Sequence, residues 1–154
     1  MIKKILVSLD GSQLAEKALP YAQLLAQKFE AELVLVRVLH LSSDFAGGIP
    51  GIGIVREQVI RERVEAKSYL DRVLLQLRSM RLSAHAIIMD VHPTAEAIVD
   101  LAAEEAVDLI VISTHGRSGL SRWIYGSVAS KVLQYAPCPV FLVRASESAK
   151  RFAV

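Results

Sequence analysis

Cysteine is almost missing from this chain. Cys138, set between Pro137 and Pro139, is the one thiol in 154 residues, which excludes an internal disulfide and any paired-cysteine metal site. Such usage fits a reducing compartment, and a cytoplasmic protein is expected. Long apolar runs are lacking as well. The N-terminus carries two lysines but only the apolar run 5–9 before Asp10, too little for the core of an export signal. The longest stretch without Asp, Glu, Lys or Arg, 132–143, falls short of the ~20 apolar residues that span a bilayer. No membrane partner is expected. Charge of one sign is also scarce: Lys+Arg 18 against Asp+Glu 16 leaves +2, which argues against a broad nucleic-acid surface held by phosphate contacts.

What is present suits one globular domain, read as 1–146 with a tail at 147–154: 53% hydrophobic and 22% charged residues supply a core and a solvated surface. Five short apolar runs recur, at 5–9, 33–36, 86–89, 109–112 and 140–143. None alternates with polar residues, the pattern of strands buried on both faces. Helical spacings lie between them. Ala15, Ala18, Leu19, Ala22, Leu25, Ala26 and Phe29 predict one helix, with Pro20 as a kink inside its apolar stripe. Val59, Ala66, Leu70, Val73 and Leu77 predict a second over 55–80, whose Arg56, Glu57, Arg61, Glu62, Arg63, Glu65 and Lys67 alternate in sign and read as a solvated face. A third helix starts at Pro93, and a fourth follows Gly126 with Ser127 as its N-cap.

Strands alternating with helices of this length predict an α/β three-layer sandwich around a mostly parallel sheet. Such sheets take ligands beyond the carboxyl ends of their strands, where strand order reverses. Three segments fall there: Asp10-Gly11-Ser12, the glycine-rich loop 40–54, which reads as a lid, and 113–125. The last is the most informative. From Ser113 to Ser127 it holds three glycines, two arginines and several hydroxyls between a strand and a helix start. Glycines let backbone N–H groups approach a phosphate, and the helix start offers unsatisfied donors. Neither GxxxxGK[ST] nor GxGxxG is present, so an ordinary long loop is the competing reading. Asp10 either accepts a ribose hydroxyl or begins a turn and caps a helix. His115 either touches phosphate or bonds to backbone. His40, His85 and His92 share no metal-ligand spacing.

KKILVSLDGS at the start, VLVRVL in the second run, HPTAEAIVDLA, and VDLIVISTHGRSGLSRWIYGSVASKVLQYAPCPVFLVR together resemble the universal stress protein family over nearly the whole chain. The resemblance implies a five-stranded parallel, Rossmann-like sheet of order 3-2-1-4-5. It also implies ATP binding through Gly-x2-Gly-x9-Gly-Ser/Thr. Gly116, the nine residues 117–125 and Gly126-Ser127 fit that pattern, whereas Ser113 stands in place of the first glycine. Val91 is a second departure, where members often carry glycine. On this resemblance Asp10 contacts the ribose, the backbone at Val38 reads the adenine edge, and Gly116, Gly126 and Ser127 hold phosphates, with Ser113, His115 and Arg117 beside them.

No lysine lies in the phosphate loop and no carboxylate is placed by sequence to activate water, so ATP, with Mg2+, is expected as a ligand or switch rather than a fast-turnover substrate. The alternatives are a nucleotide-free member acting through protein contacts, or a slow ATPase. In the implied order the run Val140, Phe141, Leu142, Val143 is an edge strand that invites pairing with a second copy, and a homodimer is expected. Charge is unevenly placed. No Asp or Glu occurs between Asp108 and Glu147, while Arg117, Arg122, Lys131 and Arg144 leave that stretch positive, as a compact anion site favours.

Overall fold

The computed structural model describes residues 1–40, 51–90, 92–114 and 126–144. Its elements run β1 (Lys4–Ser8), α1 (Gln13–Glu16), α2 (Leu19–Phe29), β2 (Glu32–Val38), α3 (Ile52–Ser79), β3 (Ala84–Met89), α4 (Thr94–Glu104), β4 (Leu109–Ser113), α5 (Ser127–Tyr135) and β5 (Val140–Val143). The strands form one parallel sheet of order β3-β2-β1-β4-β5.

Because successive strand residues face opposite sides, each apolar run feeds two cores. Ile5, Val7, Leu33, Leu35 and Val111 pack beneath α1, α2 and α3 with Ala22, Leu70 and Leu77. Leu6, Val34, Val36, Ile110 and Ile112 pack beneath α4 and α5 with Ile98, Leu101 and Val132. Ile5, Leu6 and Val7 of the central strand are wholly inaccessible to solvent. Full burial is worth about 1.5–3 kcal/mol for each large aliphatic side chain. The reading of strands buried on both faces holds for β1, β2 and β4. It fails for β3 and β5, which are half-buried because each has, among the described residues, a neighbour on one side only.

Four helix boundaries differ from expectation. The stripe from Ala15 to Phe29 is two helices, broken at Lys17 and Ala18, so Pro20 stands in the first turn of α2, where its missing N–H has no intrahelical partner to lose. Pro93 is the N-cap of α4 rather than its first residue. Gly126, not Ser127, is the N-cap of α5, and its carbonyl accepts from the Ser130 amide. Residues 52–54, expected in the loop, open α3. The remaining lid residues 41–50, Val91 and the tail 147–154 lie outside the described residues.

Three helices end alike. The amides of Ala31, Leu82 and Val107 donate back to the carbonyls of Ala26, Leu77 and Ala102, and the residue before each, Glu30, Arg81 and Ala106, has a left-handed φ of 53°, 60° and 50°. Glycine usually fills this position. At the amino rim of the sheet, the Asp108 carboxylate accepts the backbone N–H groups of Lys3 (2.7 Å) and Lys4 (2.9 Å), and Lys4 Nζ meets Glu105 at 2.9 Å. These contacts tie β1 to the α4–β4 turn.

Candidate site at the carboxyl rim

The register aligns the candidate residues. Ser8 pairs with Val36 on one side of β1 and Val7 with Val111 on the other. Carrying both offsets to the rim places Val38, Asp10 and Thr114 in one row across β2, β1 and β4. Order reverses between β1 and β4, so this row lies beside the crevice where doubly wound sheets hold ligands.

The turn after β1 is built from its own side chains. Asp10 Oδ1 accepts the Ser12 amide at 2.9 Å, and Ser12 Oγ accepts the Ala15 amide at 3.1 Å. The helix cap is therefore Ser12, not Asp10. Gly11 between them has φ 83°, a conformation that side chains strain. Val38 ends β2 with its side chain buried in the α4–α5 core, so its main chain is what remains to meet a ligand.

After β4, the Thr114 amide donates to the Val143 carbonyl and the Gly126 amide donates to the Thr114 carbonyl, both at 2.8 Å. The second bond clasps the two ends of segment 115–125 together at the rim. It also sets the N-terminus of α5 there, and among the described residues no side chain caps that helix, so its first amides carry partial positive charge toward the crevice. Ser113 and Thr114 are buried. Strand alternation directs Ser113 to the α1–α3 face, opposite to α5, because Val111 faces that way and Ile112 the other. Asp10, Val38, Ser113, Gly126 and Ser127 thus converge on one rim. His115, Gly116 and Arg117 lie outside the described residues.

Sequence reasoning missed Arg37. It is a charged residue on an otherwise apolar strand, only 4% exposed, on the face opposite to Val38. Its guanidinium lies 3.6 Å from Glu62 of α3 and 5.5 Å from the centroid of the Tyr69 ring, which Arg72 also approaches at 5.9 Å. The Tyr69 hydroxyl is buried and has Glu16 close to it. Burial first, and the charge of nearby Glu16 second, hold the phenol well above its ordinary pKa, so it stays protonated. The lone Arg within VLVRVL was the available signal. On α3, Glu57–Arg61 and Lys67–Asp71 are exposed pairs, as a solvated face requires, whereas Glu62 turns to Arg37 and Arg63 to Asp90. His40 Nε2 lies 3.3 Å from Thr94 Oγ1, and His85 Nδ1 2.9 Å from Glu32. Among the described residues no group of three His, Cys, Asp or Glu could hold a metal.

Parallel strands in the order 3-2-1-4-5 define a doubly wound, Rossmann-like α/β domain. The family model described as Universal stress protein family matches residues 1–144. Universal stress protein YxiE of Bacillus subtilis is 34% identical over 149 residues, covering 94% of this chain and 100% of that protein. Two solved structures are similar throughout: UspA from Lactobacillus plantarum (28% identity, TM-score 0.80, 92% of this chain and 97% of that one) and MJ0577 of Methanocaldococcus jannaschii (27%, 0.83, 96% and 99%). The chain belongs to the universal stress protein family. More distant structures, at 21%, 14% and 20% identity with TM-scores of 0.55, 0.67 and 0.66, share the fold; they were solved with cAMP, AMP and dAMP respectively.

Proposed function

We propose that this protein binds an adenine nucleotide, ATP accompanied by Mg2+, at the carboxyl rim between β1 and β4, and uses it as a ligand or switch in a cytoplasmic stress response. The observation that carries the reading is the Gly126–Thr114 hydrogen bond, which brings the start of α5 to the rim that Asp10 and Val38 also occupy. In this reading Asp10 accepts a ribose hydroxyl, the Val38 main chain meets the adenine edge, and the Ser127 amide holds a phosphate oxygen, while Gly126, whose own amide is committed to Thr114, lets the phosphate approach the backbone closely. Ser113 does not obstruct the phosphates, since its side chain belongs to the opposite face. Gly116, Arg117 and His115 complete the anion site by the family pattern. Mg2+ travels with the triphosphate, as is usual where only one or two carboxylates and the phosphates hold the ion. The cAMP, AMP and dAMP complexes of structurally similar proteins support an adenine ligand.

The same reading makes the protein a homodimer through β5. Among the described residues its outer edge has no neighbouring strand, Phe141 is 40% exposed, and the Phe141 and Tyr21 rings lie 5.7 Å apart on that flank. Calorimetry on nucleotide-stripped protein tests the site. Saturable binding of Mg-ATP is expected, with loss in Gly126→Val, which puts a branched side chain where phosphate approaches. No binding heat, or unchanged affinity in the variant, overturns the reading in favour of a nucleotide-free member acting through protein contacts. Steady ADP release would reassign it as a slow ATPase.

A further inference from the structure

Arg37 is an unusual use of a core position. Desolvating a guanidinium costs several kcal/mol unless partners compensate, and Leu or Met would fill the same volume without that cost. Its partners come from three directions. Glu62 supplies the counter-charge from α3, and the Tyr69 ring supplies a π face. The third neighbour is Gly11: a Cβ built there would stand 3.1 Å from Nη1 and 3.5 Å from Cζ of Arg37. The guanidinium therefore lies directly against the backbone of the turn that carries Asp10. Gly11 has no side chain, and this permits the approach; its φ of 83° directs the chain from Asp10 into Ser12 over the guanidinium.

We infer that Arg37 is a positioning residue for the nucleotide site: clamped by Glu62 and Tyr69, it forms the floor of the Asp10–Gly11–Ser12 turn and fixes where the Asp10 carboxylate meets the ribose. The inference rests on the nucleotide reading above and names what makes that site rigid. The first half of α3 takes part in this. Glu62 reaches Arg37 and Arg63 reaches Asp90, so the helix is attached to the carboxyl rim about 15 Å, ten residues, beyond its first residue. Through Glu62 the setting of α3 is transmitted to the ribose turn. A planar guanidinium suits this task where an ammonium does not, because it can lie flat against backbone while its edge pairs with a carboxylate.

Two readouts on Arg37→Met, Arg37→Lys and Glu62→Gln test this. The first is the ratio of affinities for Mg-ATP and Mg-dATP, which reports contact with the ribose 2′-hydroxyl and which general loss of stability does not change. In wild type ATP is expected to bind more tightly. In Arg37→Met the ratio collapses toward one, with ATP affinity falling about tenfold, the scale of one hydrogen bond to a charged group. Arg37→Lys is not rescued, and Glu62→Gln shows a smaller loss in the same direction. The second readout needs no ligand: amide exchange of Ser12, whose N–H is bonded to Asp10, against that of Ile110, bonded to Pro139 in the sheet. Arg37→Met should speed the first and leave the second. Wild type binding neither nucleotide overturns the nucleotide reading. Wild type discriminating while Arg37→Met keeps both the ratio and the Ser12 protection overturns this inference alone.

Discussion

Gly126 donates its amide to the carbonyl of Thr114 at 2.8 Å, which makes the last residue of the β4 exit and the cap of α5 immediate neighbours. The backbone of Gly126, φ −51° and ψ 149°, is one that proline also adopts. Gly126→Pro therefore removes the donor without forcing φ. We expect a stability loss of about 1 kcal/mol by chemical denaturation and a weakened Mg-ATP interaction by calorimetry. Full affinity in a folded variant would show that the clasp does not build the site.

Gly11→Ala combines two costs, a side chain at φ 83° and a Cβ 3.1 Å from the Arg37 guanidinium. Left-handed backbone alone costs about 1–2 kcal/mol for a residue with a Cβ. A lowered unfolding midpoint of that order is expected, with the Ser12 amide exchanging faster than in wild type.

Ala106 closes α4 at φ 50°, where glycine is the strain-free choice. Ala106→Gly should raise stability by about 0.5–1 kcal/mol in urea titration, against the usual direction for an alanine-to-glycine change. Glu30→Gly, at φ 53°, should behave in the same way.

Backbone N–H bonds from Lys3 and then Lys4 hold the Asp108 carboxyl below its ordinary pKa of 3.8. A depressed folded-state value means that the contribution is complete above the unfolded pKa and disappears as pH falls through the folded one. Glu105, lowered first by its hydrogen bond to Lys4 and then by that residue's charge, adds to the same trend. Thermal unfolding followed from neutral pH into acid should show wild type more stable than Asp108→Asn near neutrality and the two converging in acid. A gap independent of pH would deny Asp108 this role.

Phe141→Asp places a charge on the open β5 edge, and charged edges resist strand pairing. Light scattering at micromolar concentration should find a dimer for wild type and a monomer for the variant. A wild-type monomer removes the β5 interface from the proposal.

The central strands were legible because burial on both faces leaves an unbroken apolar run, as at 5–7 and 33–36. The edges were not, since the run at 86–89 carries no mark of having one neighbour rather than two; strand order decides that. Proline at position 20 announced a disturbance, but apolar spacing continued across the break at Lys17 and Ala18 and concealed its place. At the candidate site, the family pattern names Asp10, Val38, Gly126 and Ser127, which the fold sets on one rim. The Arg37–Glu62–Tyr69 cluster was not: it joins residues far apart in the chain, and Glu62 sits in a charge alternation that looks the same whether a side chain faces water or a buried partner.

Since every strand runs in one direction, all amino ends share one rim of the sheet and all carboxyl ends the other. The Asp108 contacts occupy the first rim and the Asp10 row the second, separated along β4 by about 20 Å. That exceeds the Debye length of about 8 Å at physiological salt, so surface charges at one rim barely alter the potential at the other. Substitutions from the two rims should then combine additively, and drift at the amino rim can proceed without detuning the carboxyl rim, where a nucleotide is proposed to bind.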